Sequence, residues 1–387
     1  MIGQEWLQGV ECRRFSGYKP CEPGRLCGIC REPEGWGKRV LLVSLEALGA
    51  VIQTTSVLAP MQRKWAPMTL IWVTMPWHLP VLENNPYVFE ALPYNFETVE
   101  ILRQQRFDIA INLDKTRRGA ALLQAVTAER KMGFALSPNG QIIPANGEAE
   151  YLYRLGLDDD LKFRRNSKPG AQLIAEALGL EWRRDPYVLR LAEHERAEVY
   201  QMRHRLGIAE TVVVGFNTGS SAQFPHKSLT IEQHISLLRL TRDECPDAAL
   251  ALLGGEAESE RNRQIASAVK GVLETPTTGG LRCGLQAVAM CDVVVTGDTA
   301  ALHMAIGLGR YAVAWFGLSC AAEIDVYDWG EKIISPLPCA PCWKKECPDP
   351  RCVRTMDLNA IVAAIRRGVE AVRKQRQEAK VSPAIKR

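Results

Sequence analysis

The stretch Val293-Val-Val-Thr-Gly-Asp-Thr-Ala-Ala-Leu-His-Met-Ala-Ile-Gly-Leu-Gly-Arg-Tyr-Ala-Val-Ala-Trp-Phe-Gly317 decides how the chain is read. An apolar run, Val293 to Val295, ends in the polar turn Thr296-Gly297-Asp298-Thr299. Small residues from Ala300 to Gly307 then predict a helix, and Ala312 to Phe316 predicts a second buried strand. Strand, turn, helix and strand in that order form a parallel α/β unit, whose ligands sit at the carboxyl ends of the strands. Asp298 and Thr299 stand at the helix N-terminus and His303 one turn on. Free backbone N–H groups there favour a phosphate, so a sugar diphosphate suits that mouth. An N-cap on a scaffold helix gives the same letters.

Outward from this unit the same rhythm repeats. Lys38–Leu45, Met68–Val73 and Phe107–Asn112 read as buried strands, with helices expected over 50–64, 96–105 and 117–127. After a polar connection over 147–165, a helix near 170–178 and a passage over 182–191, the pattern restarts. Strands are expected at 211–216 and 248–253, and helices at 193–206, 230–241 and 258–269. Alternation of this kind predicts doubly wound parallel sheets. The expected division is a Cys-rich cap over 1–37, one α/β domain over 38–190, a second over 191–356 and a C-terminal helix and tail over 357–387. Apolar positions Leu358, Ile361, Val362, Ile365, Val369 and Val372 give that helix its buried stripe.

With 387 residues there is length for two such domains, and a net charge of +4 is too mild to argue for nucleic acid as a partner. No apolar run reaches the roughly 18 residues that span a bilayer. Met1-Ile-Gly-Gln-Glu-Trp6 lacks a basic segment followed by an apolar one, so a cytoplasmic location is expected. Eight of twelve cysteines fall into two sets, Cys12, Cys21, Cys27, Cys30 and Cys339, Cys342, Cys347, Cys352. Thiolates in fours among Pro and Gly suit a structural Zn or Fe ion, with disulfides or free thiols as the competing accounts. A metal- or redox-sensing role would rest on these cysteines alone.

Two further turns carry candidate chemistry. Asn217-Thr218-Gly219-Ser220-Ser221 ends one strand and is followed by Phe224-Pro225-His226-Lys227. Its small residues let amides approach a diphosphate, and Lys227 supplies a mobile charge. Gly254-Gly255-Glu256 ends the next strand, where Glu256 suits ribose hydroxyls or caps a helix. Arg117, Arg118, Arg130 and Lys131 add a basic cluster for an anionic acceptor or lipid surface, or else a solvated helix face.

Asp298-Thr299-x-x-x-His303, with the Gly and Phe-Gly that follow, resembles the nucleotide-sugar signature of glycosyltransferase family 9, the bacterial heptosyltransferases. The Gly219 to Lys227 segment and the Gly-Gly-x-Glu-like turn at Glu256 are similar to that family's segments as well. The resemblance spans roughly 38–375 and implies a GT-B fold, two Rossmann-like domains facing a cleft. It implies sugar transfer, heptose from an ADP-heptose-like donor, to a hydroxyl of a glycan, lipopolysaccharide core or protein, with no cofactor for the chemistry. It places Thr218, Gly219, Ser220, Lys227, Glu256, Asp298, Thr299, Ala300 and His303 at the nucleotide sugar. Work at the inner face of the inner membrane follows from such an acceptor, and a C-terminal helix often crosses back onto the first domain. Leu45-Glu46-Ala47-Leu48-Gly49-Ala50 departs from the pattern, because the family carries its general-base Asp where this chain has Ala50. Glu46 or Asp114 then become the substitute bases, or the chain is an inactive homologue that binds a nucleotide sugar or serves as a scaffold.

Overall fold

The computed structural model describes residues 12–381 apart from 24–25, 28–29 and 31. Part of the expected N-terminal cap, including residues 1–11, lies outside these residues. Two six-stranded sheets dominate. The first contains β1 Lys38–Val43, β2 Met68–Thr74, β3 Val88–Pro93, β4 Arg106–Asn112, β5 Thr127–Leu136 and β6 Ile142–Pro144, in the order 3-2-1-4-5-6. The second contains β7 Val213–Asn217, β8 Ala249–Leu253, β9 Leu273–Glu274, β10 Val293–Gly297, β11 Tyr311–Phe316 and β12 Gly330–Ile334, in the order 12-11-10-7-8-9. All pairings are parallel except β5 with β6. This is the expected α/β architecture of two doubly wound sheets.

Each sheet reverses its winding beside one central strand. The first does so between β1 and β4, the second between β7 and β10, and the crevice at such a reversal is where open parallel sheets take ligands. Central strands must be apolar on both faces, which Val40 to Val43 and Val293 to Val295 are, with no exposed surface.

Several elements depart from the sequence reading. The helix expected over 50–64 is Leu48–Thr54, a 3₁₀ turn at Thr55–Val57 and a second helix Leu58–Trp65. Pro60 has no N–H to give, so it is tolerated only near the start of a helix, and the chain breaks ahead of it. Arg130 and Lys131 stand on β5, and Lys131 Nζ donates to the Gln124 carbonyl of the Arg117–Ala125 helix at 2.9 Å, so the expected basic cluster is not one helix face. The terminal helix Leu358–Val381 packs against the second sheet and helix Ile231–Glu244 instead of crossing to the first. Its stripe Ile361, Val362, Ile365, Val369 and Val372 is buried there with Val293 and Val313.

The two sheets' layers meet through helix Leu48–Thr54 and helix Ala300–Gly307. Val51 and Ile52 share one apolar cluster with Leu302, Met304, Ala305 and Leu189. Burying one such Leu or Ile contributes roughly 1.5–3 kcal/mol. Gly49 allows the approach: a Cβ there would lie 2.5 Å from His303 Cδ2. Polar ties flank the contact, among them Arg63 with Asp185 at 2.5 Å, Lys162 with Glu323 at 3.3 Å, and Gln53 donating to the Tyr187 hydroxyl at 3.2 Å.

Candidate functional site

At the second sheet's reversal, β7 ends in Asn217 and β10 in Gly297. The Asn217 amide donates to the Gly219 carbonyl at 2.9 Å, Thr296 Oγ1 at 3.2 Å and Thr299 Oγ1 at 3.3 Å, tying both strand ends together. Helix Ala300–Gly307 starts here, and Thr299 at its N-cap makes no side-chain bond to the helix amides. Leu302 N–H donates to the Thr299 carbonyl at 3.1 Å, and the Ala300 and Ala301 N–H groups stay available to an anion, with the helix dipole behind them.

Two cavities open on either side of this N-terminus. One, about 540 Å³, is lined by Gly219, Ser220, Gly254, Glu256, Glu258, the 276–280 loop, and Trp77 and His78 from the first domain. The other, about 730 Å³, is lined by Glu46, Gly49, Ala50, Asp114, Lys115, Lys227, Asp298, His303 and Trp343. Leu48, Ser221, Thr299 and Ala300 line both. A ligand with a nucleoside at one end and a sugar at the other would thread its charged middle past Thr299 and Ala300.

The sequence-expected residues divide on inspection. Gly219, Ser220, Glu256, Thr299 and Ala300 all face the first cavity. A Cβ on Gly219 would come within 2.2 Å of the Glu258 carboxylate, which would have to swing aside. Thr218 does not grip a ligand: it has no exposed surface and its hydroxyl donates to Asn262 Oδ1 at 2.5 Å. Asp298 does not face a phosphate as a free carboxylate either, for Lys227 Nζ lies 2.8 Å from it in a nearly buried ion pair. That pair fixes where the lysine ammonium stands. His303 sits at the domain contact, stacked on Tyr187 with ring centroids 6.0 Å apart. Burial, opposed by the charge of Asp298, pushes its pKa down to about 4.

Sequence reading missed Glu258, the Pro276-Thr277-Thr278-Gly279-Gly280 loop and the Trp77-His78 pair. The Gly279-Gly280 doublet was the available signal for the loop; Glu258 reads only as the first residue of a helix, and it accepts the Gly255 N–H at 2.8 Å.

Across the second cavity stands the first sheet's own reversal. Asp114 follows β4 and accepts the backbone N–H groups of Leu45 and Glu46, the latter at 3.4 Å. Burial raises its pKa to about 7, and the nearby Glu46 charge adds to the rise while the two N–H bonds and Arg118 oppose it. Glu46 is itself paired with Arg118 at 3.1 Å. Ala50 is exposed on this wall and has no group to take a proton. Lys115, lowered to about 8 by burial and then by Lys162, lines the same wall.

The cysteine sets do not form the expected cages. Among the described residues no three His, Cys, Asp or Glu converge on a point that could hold a metal ion. Cys339, Cys342 and Cys347 do share one neighbourhood with Cys352, whose thiol is raised by burial first and by the other three next. Sharing a neighbourhood is not enough for a cage, which needs four sulfurs about 2.3 Å from one centre. Among the described residues no helix is long and apolar enough to cross a membrane.

Comparison with known proteins places this geometry. A glycosyltransferase family 9 structure from Veillonella parvula superposes with a TM-score of 0.70 at 18% identity, covering 87% of this chain and 99% of that one. The E. coli ADP-heptose lps heptosyltransferase II matches with a TM-score of 0.59 at 19% identity, over 84% of this chain and 98% of its own. The E. coli heptosyltransferase WaaC with ADP gives 0.61 at 17%, over 85% and 99%. At these identities the likeness speaks for the fold. A sequence comparison with curated proteins finds no match. The family model for glycosyltransferase family 9 (heptosyltransferase) matches residues 96–352, well over half of the chain, and the protein belongs to that family.

Proposed function

We propose that this chain transfers a sugar, heptose first among the choices, from an ADP-heptose-like donor to a hydroxyl of a glycan, lipopolysaccharide-core or protein acceptor. The observation that carries the reading is the helix N-terminus at Thr299 and Ala300, shared by two cavities of suitable size. The nucleoside would occupy the smaller one, with Glu256 and Glu258 beside the ribose. The diphosphate would lie on the first-turn amides of helix Ala300–Gly307, with Lys227 swinging from Asp298 to its charge. Ordered N–H groups and a cation close at hand act on charge as it develops on the leaving group.

Asp114 is the base in this reading. It lines the sugar-side cavity, and a pKa of about 7 leaves it half ionised at neutral pH, where a general base works best. The acceptor oxygen attacks the anomeric carbon as the bond to the diphosphate breaks. The electron pair leaves with the diphosphate, and the hydroxyl proton passes to the Asp114 carboxylate. No cofactor is required for these steps. Work in the cytoplasm, at the inner face of the membrane, belongs to the same proposal.

Ala50 supports a second reading, an inactive homologue that binds the nucleotide sugar and acts as a scaffold. Single-turnover transfer from ADP-heptose and a panel of other nucleotide sugars, with truncated core oligosaccharide as first acceptor, separates the two. Transfer by the unaltered chain that disappears in Asp114→Asn is expected. Transfer only by Ala50→Asp would establish the inactive reading, and no binding of any nucleotide sugar would sink both.

A further inference from the structure

The segment 338–352 reads as a cysteine-bearing surface loop, yet one of its residues reaches into the cleft. Trp343 lines the sugar-side cavity beside Lys227 and Asp298. Its indole lies 4.4 Å from Lys227 Nζ and 5.0 Å from Lys162 Nζ, one lysine from each domain. Phe224 packs on the same group, 5.1 Å from the indole and 5.4 Å from Lys227 Nζ. Trp343 holds a φ of 54°, an uncommon conformation for so bulky a residue, so its surroundings must fix it. They do so from two sides. The Leu318 carbonyl accepts the N–H groups of Cys342 at 3.0 Å and Trp343 at 2.9 Å. Arg164, from the other domain, donates to the Pro338 carbonyl at 2.8 Å and to Ala340 at 3.3 Å.

Lys227 needs such a partner. Its backbone is anchored, since its carbonyl accepts the Trp315 indole N–H at 2.9 Å and leaves no room for a Cβ on Gly297. Its long side chain has four torsions, and among the described residues Asp298 and the aromatic pair define where the ammonium stands. An indole face attracts a cation without neutralising it or competing for its hydrogens. A carboxylate alone would hold Lys227 but also cancel its field; the ring holds it and leaves the charge usable.

We propose that Trp343 is a positioning residue for the phosphate-facing Lys227, presented by the 338–352 loop, which Arg164 clasps from the opposite domain. This rests on the reading that Lys227 meets the diphosphate.

The test is calorimetric binding of ADP and of adenosine to the full chain and to Trp343→Leu, Trp343→Phe, Arg164→Ala and Lys227→Ala. Loss of one partly buried cation–π contact predicts ADP binding weaker by on the order of tenfold in Trp343→Leu. Trp343→Phe should recover most of it, and adenosine binding should not change. Trp343→Leu should add nothing further once Lys227 is alanine. Arg164→Ala, which leaves the ring in place, should weaken ADP binding by a smaller factor and serves if Trp343→Leu does not fold. If ADP binds Trp343→Leu and Arg164→Ala within twofold of the unaltered chain while Lys227→Ala loses it, the inference is wrong and the function stands. An equal loss of adenosine in Trp343→Leu also overturns it, because that marks general damage. If Lys227→Ala keeps ADP, the reading beneath falls as well.

Discussion

The two sheets reverse at equivalent places and present opposite chemistry. The second sheet's mouth, at Asn217 and Gly297, is built of small residues, backbone N–H groups and one guarded lysine. The first sheet's mouth, at Leu45 and Asp114, turns its backbone N–H groups inward onto a buried carboxylate. One mouth keeps its amides for a visitor, while the other spends them on its own side chain. The second sheet's mouth suits stabilising a departing anion, and the first sheet's mouth suits holding a proton acceptor in place.

Breaking the first mouth should have the largest effect. Asp114→Asn keeps the shape but cannot accept a proton, so transfer should slow by about 10²–10⁴-fold with ADP affinity unchanged in calorimetry. A rate within threefold of the unaltered chain would hand the role to another group. The pH profile sharpens the same point. With the Asp114 pKa raised to about 7, the base is lost as pH falls, so log kcat/KM should drop about one unit per pH unit below that value. A profile flat down to pH 5 contradicts it.

Next in size is the contact that brings the mouths together. Gly49→Ala puts a methyl 2.5 Å from the His303 ring, which is buried and has little room to yield. Overpacking of this kind costs about 1–3 kcal/mol, readable as a shift in denaturant midpoint. Were the midpoint unmoved, the two helices would not be held as closely as described. The smallest effect is expected of Ala50→Asp. Position 50 lies in the first turn of helix Leu48–Thr54, which has no acidic residue there. A carboxylate should add about 0.3–1 kcal/mol of stability at low ionic strength, fading as salt is raised. A drop in stability would mean that Asp114 and Glu46 already crowd that wall with negative charge.

The second mouth was largely legible in the sequence because it is local. Strand, turn and helix follow one another from Val293 to Gly307, so periodicity and capping residues alone outline the site. What such reading could not supply was which side chains are already engaged. Thr218 has the right chemistry for a diphosphate and Asp298 stands at the right strand end, and only the fold reveals that Asn262 and Lys227 occupy them. The first mouth depends on residues far apart, Leu45 and Asp114, whose meeting no spacing encodes. Secondary structure failed for similar reasons. β5 carries Glu129, Arg130 and Lys131, and helix Gly280–Met290 opens with two glycines within five residues, so composition hid both.

The close passage of Gly49 against His303 has a consequence for how such a chain can drift over generations. A larger residue at 49 is admissible only in a lineage that has first shortened the side chain at 303, and a shorter residue at 303 leaves a hollow that rewards enlarging 49. The two positions, one in each domain, therefore change in order or not at all. Recombining domains from two diverged descendants should fail at this pair before it fails anywhere in the ligand-binding walls.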